Sequence, residues 1–216
     1  MALHTLLIFL NFSVAIPAVI LFLRAGSKLR DYWPFAIFIW GGLLSDVFSY
    51  VLILKTHSNM VSANVYIFIE YCVILIQVAI WKRQPVWHYV LFGLLGIMVW
   101  LLDNLYLNNI KDNNSIFRLF YSLAIVLFSL DLFNRNIIYE RSAIIKNPVF
   151  LICTGFILYY GWKAFLESFN IFHVGLSDLF FIRLFLILSV VNLLSNIIYA
   201  YAILCIPKKP EFTMPY

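Results

Sequence analysis

The chain has 216 residues, 64% hydrophobic and 12% charged, with a mean hydropathy of +0.95. Soluble domains carry roughly 25% charged residues, so the composition excludes an ordinary water-soluble globule and points to a membrane protein. The formal charge of +5 does not indicate nucleic acid, because the basic residues lie in short loops between apolar runs, where they set orientation in a bilayer.

Seven apolar runs follow in order: Leu3 to Leu23, Pro34 to Leu54, Val61 to Trp81, Val86 to Leu105, Ile116 to Phe133, Pro148 to Ser168 and Leu179 to Ile206. Each is long enough to cross about 30 Å of hydrocarbon as a helix, which takes roughly 20 residues. None shows the period-two alternation of a barrel strand. The expected fold is all-α: a single seven-helix transmembrane bundle over residues 1–216. Pro34 and Pro148 open their runs, where a missing N–H costs nothing. Pro17 lies inside the first run, which neighbouring helices can accommodate. Gly41-Gly42, Gly93 with Gly96, and Gly155 with Gly161 offer close helix contacts. The N-terminus lacks a basic n-region and a small-residue cleavage site, so the first run is expected to remain as a helix. Cys72, Cys153 and Cys205 all fall in apolar runs without CxxC spacing and read as small apolar side chains.

The loops set the orientation. Arg24, Lys28 and Arg30, then Lys82 and Arg83, then Arg135, Arg141 and Lys146, and finally Lys208 and Lys209 all fall on one side, against Lys55 and Lys111 on the other. The positive-inside rule then predicts an outside N-terminus and a cytoplasmic C-terminus. The expected location is a bacterial inner membrane. The tail after Ile206 is too short for a catalytic or DNA-binding domain.

The run Val61 to Trp81 carries one acid, Glu70, near its centre. A carboxylate at that depth is costly unless it is neutral, paired or facing a wet cavity, and intramembrane charges are functional candidates by default. Asp46 falls at a similar depth on the preceding antiparallel run. Arg118, Lys163 and Arg183 lie in the outer half, with Asp103 and Glu167 at outer helix ends. Glu167 stands four residues after Lys163, so the two can pair along one helix face. Glu70 and Asp46 therefore read as an anionic centre, with Arg183 and Lys163 as counter-charges and Tyr50, Tyr66 and Tyr71 nearby in sequence. The bland alternative is a structural ion-pair network that fixes bundle packing. Asn192, Asn196 and Tyr199 share one face of the last helix, with Ser189 and Ser195 at its edges. Gln77 shares the face of Glu70, and Asn11 and Ser13 add polarity to the first helix. Gln77, Asn192, Asn196 and Tyr199 form an interhelical polar stripe, of which Asn192, Asn196 and Tyr199 are the expected moving part.

Motifs for chemistry are missing from the sequence. There is no HExxH, GxSxG or P-loop, no histidine in the middle of a span (His4 and His88 fall at run ends), and no lysine midway along the last helix for a retinal Schiff base. His4, His57 and His173 share the outer side without metal-ligand spacing, so no metal and no cofactor are expected. A lipid hydrolase using Asp46 and Glu70 stays open, but an enzyme is not the favoured reading. A transporter built as three, one and three helices is the stronger rival, and a non-catalytic subunit of a larger membrane complex is a third.

Three segments carry a resemblance: VYIFIEYCVILIQ around Tyr66 and Glu70, NPVFLICTGFILYYGWKAF around Asn147, Pro148, Gly155, Tyr159 and Gly161, and VNLLSNIIYAYAIL around Asn192, Asn196 and Tyr199. Together they resemble an uncharacterised family of small bacterial seven-helix integral membrane proteins suspected of signalling beside membrane sensor kinases. The resemblance implies a signalling partner and no established chemistry. The function expected overall is a sensor or receptor-like module. It would bind a small polar ligand, or sense protonation, in an outward-facing charged pocket and signal to a membrane partner such as a sensor kinase. The oligomeric state, homo-oligomers included, is left open.

Overall fold

The structure is a computed structural model that describes residues 10, 12–24, 30–82, 86–139, 144–172 and 177–207. Several expectations (the start of the first run, Asn11, His4, His173, Lys28, Arg83, Arg141, Lys208 and Lys209) lie outside these residues.

Every regular element described is helical. A 3-10 turn, Phe12–Val14, leads into α1 (Ala15–Leu23); α2 is Trp33–Thr56, α3 Met60–Lys82 and α4 Val86–Leu101, which continues as a π-helical segment, Leu102–Leu107. Then come α5 (Ser115–Tyr139), a 3-10 turn at Ile144–Lys146, α6 (Pro148–Phe172) and α7 (Asp178–Cys205). Six of these helices are long and apolar enough to cross a membrane, and a shorter apolar helix spans Phe12–Leu23. The chain is thus a helical protein with the helices of a multi-pass membrane protein.

Local chemistry sets the helix starts. Pro34 sits in the first turn of α2 and Pro148 begins α6, where a proline lacks only an N–H that would have no partner. The Asn147 Oδ1 accepts the Phe150 N–H at 3.1 Å, and Ser177 caps α7 by accepting from Phe180. Pro17 falls in the first turn of α1, not mid-helix. Having no N–H, it cannot take up the carbonyl four residues earlier, and the preceding turn is 3-10 in place of α. The fourth run also departs from a plain α-helix. Its π segment widens the last turn so that consecutive residues, Asp103 and Asn104, are both buried.

The helices close a ring. α1 packs on α2 and α7, α2 on α3, α3 on α5, α5 on α6 and α6 on α7, while α4 lies outside against α3 and α5. Half of the apolar window of α6 is buried, against 6% of that of α2. α2 instead presents Trp40, Leu44, Phe48 and Val51 outward, as a lipid-facing helix does.

Polar side chains lock both ends. At one end, the Phe35 N–H donates to Gln77 Oε1 at 2.8 Å, and Gln77 Nε2 donates to the Asp31 carbonyl at 2.8 Å. Beside them, Arg24 donates to the carbonyls of Ile203 and Ile206 at 2.8 and 3.0 Å, placing a cation at the negative end of α7. At the other end, Asp103 Oδ2 accepts the Phe117 N–H at 2.7 Å and so caps α5. Asn64 donates there to the carbonyls of Ile110 and Asp112.

Close packing depends on glycine at α6. A Cβ at Gly155 would collide with the ring of Tyr199, whereas one at Gly161 would meet nothing within 4 Å. Gly155→Ala is therefore expected to destabilise the fold by about 1–3 kcal/mol through overpacking. Gly161→Ala should be neutral or mildly stabilising, since alanine is favoured over glycine by roughly 1 kcal/mol in a helix. Paired thermal melts of the purified protein in one detergent check both.

Candidate functional site

The ring of helices encloses a cavity of about 660 Å³. Its wall on α2 is a stripe of small and polar residues, Gly42, Ser45, Asp46 and Ser49, at a spacing that puts them on one helix face. α3 contributes Tyr66 and Glu70, α5 Arg118, α6 Tyr159 and Lys163, and α7 Asn192, Asn196 and Tyr199. Asn59, in the α2–α3 connection, and Leu54 mark the mouth end of the lining.

The far end is closed by rings. Phe38 lies 5.5 Å from Phe156 and 5.9 Å from Tyr199, centroid to centroid, and Phe35 lies 5.6 Å from Tyr199. Phe35 and Phe156 are each 1% exposed. Beyond this floor lie the Gln77 and Arg24 locks, not further cavity lining. Gln77 therefore serves the start of α2 and takes no part in the polar stripe on α7.

The charged groups sort into pairs. Glu70, buried on α3, accepts a hydrogen bond from the Tyr121 hydroxyl at 3.2 Å, and that hydroxyl accepts one from Lys163 Nζ. Lys163 Nζ also lies over the Tyr121 ring, 4.9 Å from its centroid, and a cation over a π face is attracted to it. Lys163, Tyr121 and Glu70 form a relay across α6, α5 and α3. Arg118 donates to Asn64 Oδ1 at 3.0 Å and pairs loosely with Glu167, N to O 3.9 Å; Glu167 also accepts from Asn170 at 3.0 Å. Lys163 does not close on Glu167, four residues along, because Tyr121 captures its ammonium first. Asp46 faces the cavity and makes no hydrogen bond or ion pair to a described residue.

Most of the expected site residues come together here: Asp46, Glu70, Arg118, Lys163, Tyr50, Tyr66, Asn192, Asn196 and Tyr199 all line the cavity. Glu167 stands just behind, buried. Arg183 does not join them. It is exposed on α7 and is not a counter-charge to Glu70 or Asp46. Nine residues separate it from Asn192, and at 3.6 residues per turn that puts it about half a turn away. Tyr50 is also largely exposed, at the rim, with its ring edge-on to Phe12 at 6.2 Å.

The asparagine stripe is bonded, not free. Asn196 donates to Ser13 Oγ at 2.8 Å and to Asn192 Oδ1 at 3.2 Å, and Asn192 donates to the same hydroxyl at 3.4 Å. These bonds tie α7 to the 3-10 turn before α1. The stripe is a seam, which weighs against it as the moving part.

Tyr121 and Asn64 are not singled out by the sequence, and Tyr159 enters it only through the resemblance. Tyr121 stands three residues after Arg118, and its burial with Phe117 and Ile125 follows ordinary helical spacing. A tyrosine among so many aromatics gives no sign by itself that its hydroxyl joins two charges. Asn64 lies six residues before Glu70 on α3, under two turns away, and shares no pattern with it.

No protein-family model, curated protein or solved structure matches this chain.

Taking one member out of a buried pair leaves the other uncompensated. Glu70→Gln and Lys163→Met are each expected to cost about 3 kcal/mol of stability, with the double substitution losing much less than the sum. Denaturation of the singles and the double in mixed micelles gives the coupling; additive losses would mean that the relay carries no electrostatic pairing.

Proposed function

We propose that this chain is a membrane sensor or receptor-like module: seven helices cross a bacterial inner membrane, with the N-terminus outside and the C-terminus in the cytoplasm. α1 belongs to the first of these crossings. A small polar ligand, or a proton, enters from the periplasmic side between α2, α3, α6 and α7. The cytoplasmic loops pass the resulting helix rearrangement to a membrane-bound signalling partner.

The observation that carries this reading is the blind cavity. Polar and charged side chains line it from Asn59 down to Asn196, and then Phe35, Phe38, Phe156 and Tyr199 fill the section. A transporter needs a polar path to both faces at some stage. Here the next polar groups beyond the rings are Gln77 and Arg24, both spent on backbone groups. The basic loops support this orientation: Arg24, Arg30, Lys82, Arg135 and Lys146 fall in the connections at the end away from Asn59.

Within the sensor, α2 is the wall best placed to move. It is the least buried of the long helices, its inner face borders empty volume, and its Asp46 has no partner to hold it. α7, by contrast, is sewn to the α1 turn by the asparagine seam.

The test is sidedness of access. Ser49→Cys, in a background with Cys72, Cys153 and Cys205 replaced by alanine, should react with a membrane-impermeant maleimide in spheroplasts and be protected in inverted vesicles. Labelling from both sides would favour transport, and labelling from the cytoplasmic side alone would reverse the assignment.

A further inference from the structure

The charges around the cavity do not balance. Glu70 is matched by Lys163 through the Tyr121 hydroxyl. Glu167 is matched by Arg118. Asp46 remains, a carboxylate in excess on the α2 wall, in no ion pair with a described residue. A charged carboxylate at membrane depth needs a partner or a wet cavity; Asp46 faces a cavity, and a cationic ligand there would supply the partner.

The surroundings of Asp46 restrict what that charge belongs to. The cavity of about 660 Å³ is sized for a small organic molecule, far larger than a bare ion. No group of three or more histidine, cysteine, aspartate or glutamate side chains among the described residues could hold a metal ion, and a hard cation needs several oxygen ligands at once. Tyr66 and Tyr159 line the same cavity as Asp46, and the Tyr66 hydroxyl lies against Gly42, one turn before Asp46 on α2. Aromatic faces beside a carboxylate favour ammonium-type cations, since the ring quadrupole attracts positive charge that is weakly hydrated. The protein already uses this chemistry once, where the Lys163 ammonium lies over Tyr121. Ser45 and Ser49, on the same helix face as Asp46, keep that wall of the cavity free of bulky side chains.

We propose that the ligand of this cavity is a small organic monocation, of the alkylammonium class, whose charged head sits between Asp46 and the rings of Tyr66 and Tyr159. The proposal rests on the reading of the cavity as a ligand site and adds its chemical class. Lys163 and Arg118 do not repel such a ligand strongly, because each is already neutralised by its own carboxylate. An anionic ligand would have to displace Glu70 or Glu167 from these cations while leaving Asp46 unanswered.

The experiment titrates the purified full-length protein in detergent with methylammonium, tetramethylammonium and choline chlorides and follows thermal stability and intrinsic fluorescence. Sodium chloride at equal ionic strength, sodium acetate, zwitterionic betaine and the uncharged choline isostere 3,3-dimethyl-1-butanol run alongside. At least one ammonium compound should give a saturable upward shift in melting temperature, with sodium chloride, acetate and the isostere inert. Asp46→Asn should weaken that binding by about tenfold or more, and Tyr66→Leu should weaken it with the unliganded melting temperature little changed. Saturable binding of acetate or the uncharged isostere would overturn the cationic class while leaving a ligand cavity standing. A preference for betaine over choline would likewise replace the monocation with a zwitterion. An ammonium response unchanged in both variants would remove the head group from Asp46. If none of these compounds binds saturably, the cation proposal fails, and the sidedness of Ser49→Cys labelling decides separately whether the cavity opens outward.

Discussion

The constraint that shapes this molecule is a carboxylate held at bilayer depth. Glu70 sits mid-way along α3 and is almost wholly buried. In hydrocarbon such a group must be answered by protein. The answer comes from two helices: α5 supplies the Tyr121 hydroxyl and α6 supplies Lys163 behind it. Satisfying one acid therefore fixes the relative placement of α3, α5 and α6. These are the most buried helices of the bundle, and fully buried side chains such as Phe117, Ile125, Phe156 and Tyr160 line their contacts. The Arg118 cluster repeats the logic nearer the mouth, where Asn64 and Glu167 occupy the guanidinium.

The other half of the ring is built differently. α1, α2 and α7 surround space, because the inner face of α2 carries Gly42, Ser45, Asp46 and Ser49 where a packed helix would carry leucine or phenylalanine. Small side chains at that spacing draw two helices together when the partner is also small. Here the facing residues, Tyr159, Asn192 and Tyr199, are large and partly polar, so a gap remains. Its depth is set by aromatic size, since Phe38 and Tyr199 meet across it. Tyr199 reaches that place only because Gly155 has no Cβ.

The sequence reveals much of the fold and only part of the site. Hydrophobic run length places each long helix to within a few residues, since a bilayer demands that length whatever the tertiary structure. The π turn at Leu102–Leu107 has no such signature; it arises from burying Asp103 and Asn104 together. Within the site, depth along each run is readable, and it groups Asp46, Glu70, Arg118 and Lys163 correctly. Direction around each helix was the weaker guide. Arg183 has the right depth and the wrong face, and the count of nine residues to Asn192 already says so. The Lys163 and Glu167 pair fails for another reason. Sequence spacing permits it, but a buried hydroxyl on a different helix competes, and nothing local announces Tyr121. The small-residue stripe on α2 is periodic but was not singled out in the sequence, because its consequence, an unfilled volume, depends on what faces it.

How occupancy of the cavity could reach the opposite end follows from where α2 is held. Its first turn is pinned, because Gln77 takes the Phe35 N–H and donates to the Asp31 carbonyl. Its remaining length leans mainly on α3 and α1, with Asp46 facing empty volume. A helix fixed at one end and loose along its inner face pivots when drawn inward near its middle. The pivot lies at Gln77, against the rings of Phe35 and Phe38, which belong to α2 itself and interleave with Phe156 and Tyr199. A small rotation there must re-pack those rings, because packed interiors switch between arrangements more readily than they stretch. Tyr199 stands one turn from Ile203, whose carbonyl holds Arg24. The same ring floor connects the cavity wall to the basic end of the bundle, and in the proposed receptor that connection is the path of the signal.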